Sequence, residues 1–117
     1  MSEVKRATRV AERLREELSN VVRELGDPRI LGVMISRVEL TDDLQSARVY
    51  VRHATSSAGP EVKALLRGLE AASGKLRKDA AHALKLRYAP ALRFYYDEAP
   101  DAVNRIEELL REVKDSR

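Results

Sequence analysis

Between Val4 and Leu25 the apolar residues Val10, Leu14, Leu18, Val21 and Leu25 recur every three or four positions, the spacing of one face of a helix. Gly26 and Pro28 end that pattern. Glycine suits the left-handed residue that follows a helix, and Pro28 lacks a donor and biases Asp27 away from helical angles, so a turn is expected at residues 26–29. Val33 to Leu40 is rich in β-branched residues and Ala47 to Arg52 alternates apolar with polar, which predicts two strands. The short polar side chains of Thr41-Asp42-Asp43-Leu44-Gln45 can bond their own backbone, so an antiparallel hairpin with a loop longer than two residues should join them.

Thr55 to Gly59 reads as a flexible polar loop, and Pro60 sits where a first helical turn tolerates a missing donor. Val62, Leu65, Leu66 and Leu69 then form a stripe that Leu76, Ala80, Ala83 and Leu84 continue at nearly the same phase. Gly74 interrupts it. Glycine costs about 1 kcal/mol relative to alanine inside a helix, so a kink is expected at Ala72-Ser73-Gly74, with Pro90 marking the far end. Leu92, Phe94 and Tyr96 alternate with Arg93, Tyr95 and Asp97 as a third strand, and Pro100 opens a last helix, about 100–114, carrying Val103, Ile106, Leu109, Leu110 and Val113. The order is helix, strand, strand, kinked helix pair, strand, helix. This asks for an α+β fold in which a three-stranded sheet carries helices on one face, and 117 residues suit a single domain with its core at about 4–97.

Charge adds a direction. The chain is 44% hydrophobic and 35% charged, as for a folded core under a densely charged surface. The net charge of +3 is unevenly spread: residues 61–96 carry eight Lys/Arg against three Asp/Glu, and residues 97–117 carry four against seven. A basic middle beside an acidic end suggests a polyanion partner for one surface, nucleic acid before anionic lipid. Cysteine is absent, which excludes a disulfide framework and thiolate chemistry and fits a reducing cytoplasm. No apolar run approaches the roughly 20 residues of a membrane span, and the first segment lacks the apolar core of a secretory signal.

Candidate catalytic chemistry is sparse. His53 and His82 lie far apart and near no nucleophile or metal-ligand spacing, Asp42 and Asp43 suit turn capping, and no phosphate-binding Gly-x-x-x-x-Gly-Lys string occurs. The expectation is a non-enzyme with no cofactor, no metal and no small-molecule substrate.

Candidate binding residues are plentiful. At 100° per residue an unbroken second helix would gather Lys63, Arg67, Arg77, Lys78 and Lys85 in one arc; a sharp kink would still leave Lys75, Arg77, Lys78, Lys85 and Arg87 in a short span. Without a Cβ, Gly74 would let phosphate or sugar approach the backbone at a helix start; the alternative is a packing kink. Lys5, Arg6, Arg9 and Arg13 on the first helix can add phosphate contacts, or pair with Glu12, Glu16 and Glu17 at helical spacing. Arg37, Arg48, Tyr50, Arg52, Arg93 and Tyr95 can share the outward sheet face, as base-stacking groups or as β-forming residues on a solvated surface. A solvated helix face is the plain alternative for all the cations.

Several strings in order resemble one family: Arg9, Val10 and Leu14; Asp27-Pro28-Arg29 with Gly32; Arg37-Val38-Glu39 before Asp43-Leu44; Ala47-Arg48-Val49-Tyr50-Val51; Ala72-Ser73-Gly74-Lys75-Leu76-Arg77; and Leu86-Arg87-Tyr88-Ala89-Pro90-Ala91-Leu92-Arg93-Phe94. Together they resemble ribosome-binding factor A of bacteria. The resemblance implies a variant type II KH domain in which an Ala-x-Gly kink, here Ala72-Ser73-Gly74, replaces the usual Gly-x-x-Gly loop. It also implies binding to the immature 30S subunit and its 16S rRNA, help in late rRNA maturation and end-processing, and support of growth in the cold. A competing class is a protein-interaction module using the acidic C-terminal helix or a sheet edge. No heptad seam suggests a coiled-coil dimer, so a monomer is expected.

Overall fold

In the computed structural model, residues 3–53 and 59–97 are described. The polar loop at 54–58 and the helix expected at about 100–114, with the acidic surface it would carry, lie outside the described residues. Helix α1 spans Glu3–Glu24. It buries Ala7, Ala11, Leu14, Leu18 and Val21, spaced alternately by four and three, and Val22 beside them. Val10 lies one position off that stripe and is only half-buried; the small side chains of Ala7 and Ala11 take the inward places instead.

The turn after α1 forms by a different route from the one expected. Gly26 does not adopt a left-handed conformation; the glycine that does is Gly32, with φ of 84°. Asp27 caps a 3-10 turn at Pro28–Ile30 by accepting the Arg29 N–H at 2.9 Å, and Pro28 occupies a position whose N–H would have had no partner. Ile30 is thereby driven into the core. Gly32 reverses the chain against the His53 ring, whose Nε2 also lies 3.1 Å from the Leu31 carbonyl oxygen.

Strands β1 (Val33–Leu40) and β2 (Ser46–His53) form the antiparallel hairpin. In its loop Asp43 accepts from the Thr41 hydroxyl at 2.6 Å and the Gln45 N–H at 3.0 Å, while Leu44 takes the left-handed conformation at φ 62°. These bonds, the Thr41 hydroxyl foremost, hold the Asp43 carboxyl below the usual carboxylate range. The register shifts between Ile35 and Arg37, leaving Ser36 as an extra residue. Its hydroxyl reaches the Asp97 carboxylate at 2.7 Å and the Tyr50 carbonyl at 3.0 Å, so the bulge ties β1 to the far end of the third strand.

Helices α2 (Gly59–Ala71) and α3 (Ser73–Ala83) are separated by a single break at Ala72, within the expected kink. They carry the chain back to β3 (Ala91–Tyr96), which pairs parallel with β2 and gives the order β1-β2-β3. Leu65 and Leu69 of α2 and Leu76 of α3 join Leu14 and Leu18 as fully buried leucines; burial of each contributes about 2 kcal/mol. Leu76 and Ala80 continue the stripe across the break as expected, but next to them Ala81 is buried whereas Ala83, expected in the stripe, is exposed. All three helices cover the sheet face that presents Ile35, Ala47, Val49, Val51 and Leu92. The fold is α+β and KH-like, and among the described residues no helix covers the opposite sheet face.

Candidate nucleic-acid interface

Helix α3 ends in a left-handed residue that is not glycine. Lys85 has φ of 55°, and the ending is closed by the Lys85 N–H on the His82 carbonyl at 3.2 Å and the Leu86 N–H on the Ala81 carbonyl at 2.9 Å. A side chain in this conformation costs on the order of 1 kcal/mol, which glycine would avoid. The consequence is positional: Lys85 leaves the helix and comes beside α3. A depression of about 610 Å³ there is lined by Gly74, Arg77, Lys78, Ala81, His82, Lys85, Leu86, Arg87 and Ala89. A second, of about 320 Å³, shares Lys85, Leu86 and Arg87 with the first and adds Arg6 of α1, Tyr88, and Asp43, Leu44 and Gln45 of the hairpin loop.

The cations around these depressions have different duties. Arg77 donates from Nε to the Pro90 carbonyl at 3.0 Å and from Nη2 to the Ala89 carbonyl at 3.2 Å, so it anchors the loop between α3 and β3. Lys75, expected in the cluster, lines neither depression; it pairs with Asp79 at 2.8 Å, and that hydrogen bond raises its pKa. Among the described residues, no carboxylate lies within ion-pair distance of Lys78, Lys85, Arg87 or Arg6. The Arg87 guanidinium lies over the Tyr88 ring, 5.5 Å from its centre.

Gly74 stands at the start of this surface. A Cβ built there meets nothing within 4 Å, so internal packing does not require the glycine. Ala72, at the N-cap of α3, supplies no capping side chain, and Ala72 and Ser73 are half-buried behind Gly74. Gly74 thus lies in the first turn of α3, where the helix's own N–H groups have no intrahelical partner. Gly68 has the opposite character: its Cβ would fall 2.8 Å from Ile30 Cγ2 and 3.1 Å from Arg29 Cβ. That close approach of α2 to the 3-10 turn carries no mark in the sequence beyond a glycine inside a helix.

Not every candidate joins the cluster. Lys63 and Arg67 are exposed on α2 and line neither depression, since the helix breaks at Ala72 and ends at Ala83 and no single wheel connects them to Lys85. Arg9 and Arg13 are exposed on α1 outside both depressions. His82 and Tyr88 belong to the surface but escaped the sequence reading; an aromatic residue directly after Arg87 was the available signal. On the open sheet face, Tyr50 is held between the Arg37 guanidinium, 4.0 Å from its ring centre, and Tyr95, with ring centres 5.6 Å apart and planes at 29°. Arg37 also pairs with Glu39 at 3.0 Å, so this ladder satisfies much of its own chemistry.

Among the described residues there is no group of three His, Cys, Asp or Glu suited to hold a metal ion, and no helix long and apolar enough to cross a membrane. Comparison with known proteins decides the family, because residues 6–110 match the family of ribosome-binding factor A. The chain belongs to the ribosome-binding factor A family. A ribosome-binding factor A from Sorangium cellulosum is 66% identical over 113 residues, covering 96% of this chain and 91% of that one. Among solved structures, a Thermotoga maritima protein determined by solution NMR superposes with a TM-score of 0.71 at 33% identity, covering 85% of this chain and 93% of that one. A Thermus thermophilus ribosome-binding factor A, as a homology model fitted into the cryo-EM map of a 30S complex with that factor, gives 0.63 at 26% identity, covering 79% and 96%.

Proposed function

We propose that this member of the ribosome-binding factor A family is a non-catalytic, rRNA-binding assembly factor that docks on the immature 30S subunit in the cytoplasm and assists late 16S rRNA maturation and processing. The reading takes the chain as one domain, acting as a monomer without a cofactor and supporting growth in the cold. The observation that carries it is the gathering of Lys78, Lys85, Arg87 and Arg6, without carboxylate partners among the described residues, around two depressions that begin at the open side of Gly74. Cations left unpaired in this way offer phosphates full charge, and each phosphate contact releases a counterion. Arg77 acts in this reading as an anchor of the surface, and Lys75 as a partner of Asp79. The placement of the Thermus thermophilus relative in a 30S complex supports the choice of partner.

Sucrose-gradient sedimentation of the tagged protein tests the reading. The expected result is co-migration with free small subunits and absence from translating ribosomes, with binding to single-stranded rRNA fragments falling about 0.7 log units per phosphate contact for each tenfold rise in salt. Migration with no ribosomal particle, or an affinity indifferent to ionic strength, would contradict it.

A further inference from the structure

The most exposed aromatic ring among the described residues stands at the edge of the cation cluster. Tyr88 is 65% exposed, far more than the tyrosines of the sheet face, where Tyr95 is 38% exposed and engaged by Tyr50. Packing gives no reason for a large ring in that place. The loop that presents it is nonetheless firmly held: Leu86 N–H is bonded to the Ala81 carbonyl, the Arg77 guanidinium spans the Ala89 and Pro90 carbonyls, and Pro90 is buried. The backbone on both sides of Tyr88 is thus held before any ligand arrives, so little of its conformational freedom is lost when something lies against the ring.

Its surroundings specify the ligand. Tyr88 lines the depression that contains Arg6, Lys85 and Arg87, and also a neighbouring one of about 380 Å³ with Gln45, Arg77, Ala89 and Ala91. The Arg87 guanidinium, 5.5 Å from the ring centre, takes part of the ring's π surface and leaves most of it open. A flat, neutral, polarisable group beside a phosphate is what an exposed ring accommodates next to cations that have no carboxylate partner among the described residues, and an unpaired nucleobase meets that description whereas a base inside a duplex keeps both faces stacked. We propose that Tyr88 stacks on an unpaired base of single-stranded RNA whose flanking phosphates lie on Lys85 and Arg87, giving the surface a preference for single strands over duplex. The inference rests on the RNA-binding reading above and names the RNA element which that surface selects.

Fluorescence anisotropy of the full chain with one labelled RNA, as a single strand and annealed into a duplex, tests it at several salt concentrations. Tyr88→Ala is expected to weaken single-strand binding by about tenfold, in keeping with one lost base stack, while duplex binding and the salt slope stay unchanged and Tyr88→Phe binds as the parent. A strand made abasic should bind the parent no better than the intact strand binds Tyr88→Ala. Lys85→Gln serves as the comparison, since it should lower affinity for both RNAs and reduce the salt slope by about 0.7. If Lys85→Gln behaves so and Tyr88→Ala binds the single strand normally, or weakens both RNAs equally, the stacking role is overturned and the RNA-binding surface stands. If neither substitution affects RNA binding, both fall, and a protein would be the partner to seek at this surface.

Discussion

Two regions of the molecule use the same residue types in opposite ways. At the 3-10 turn, Arg29 is spent on Asp27, with contacts of 2.7 to 3.1 Å, and Gly68 is a glycine because Ile30 and Arg29 occupy the space of its Cβ. Along α3 and its exit, Lys78, Lys85 and Arg87 find no carboxylate partner among the described residues, and Gly74, in the first turn, opens onto empty space. A glycine or an arginine therefore has no fixed meaning; its neighbours decide whether it serves the fold or is left for a partner. The first region is internally complete. The second, among the described residues, is not.

Substitutions that exchange these characters probe the contrast. Gly68→Ala should have the largest effect on stability, a loss of about 2 kcal/mol in urea unfolding, because overpacking against Ile30 outweighs the helical preference for alanine. Unchanged stability would mean that the two glycines do not differ in kind. Arg77→Ala sharpens the division within the cation cluster itself: loss of its bonds to the Ala89 and Pro90 carbonyls should lower stability by about 1–2 kcal/mol, whereas Lys78→Ala should leave it within about 0.5 kcal/mol. Gly74→Ala should stabilise the chain by up to about 1 kcal/mol while weakening RNA binding, since a methyl group there meets only a ligand. A gain in stability with undiminished RNA affinity would remove Gly74 from the interface.

The smallest effect concerns acid. The Arg29 guanidinium and N–H beside Asp27 hold its carboxyl below the ordinary aspartate value of about 3.9. A lowered pKa in the folded state contributes stability above the unfolded value, and that contribution is lost as the pH falls through the folded value. Asp27→Asn should therefore flatten part of the stability loss below about pH 4 and leave the alkaline side unaltered, as read from urea midpoints at pH 7 and pH 3. An identical acid profile in both proteins would show the pair to be energetically silent.

Much of the architecture was legible because it depends on local periodicity. The strand pattern at 33–40 and the break at 72 are visible in single side chains, and so is the capping role of Asp43. What escaped depends on contacts between distant segments. Nothing near Ser36 announces a bulge bonded to Asp97, and nothing near Gly68 announces Ile30. The wheel that joined Lys63 and Arg67 to Lys85 assumed one helix; the break and the left-handed turn at Lys85 replaced that arc with another set, Lys78, Lys85, Arg87 and Arg6. The anchoring role of Arg77 was not legible, because its carbonyl partners, twelve and thirteen residues away, lie beyond any helical pattern.

Binding of purified small subunits by the variant Lys78→Glu/Lys85→Glu/Arg87→Glu tests the central claim most directly. These side chains make no ion pair within the described fold, so the variant should unfold within about 1 kcal/mol of the parent and yet lose subunit co-sedimentation by at least tenfold. A folded variant that sediments with small subunits as well as the parent would contradict the account.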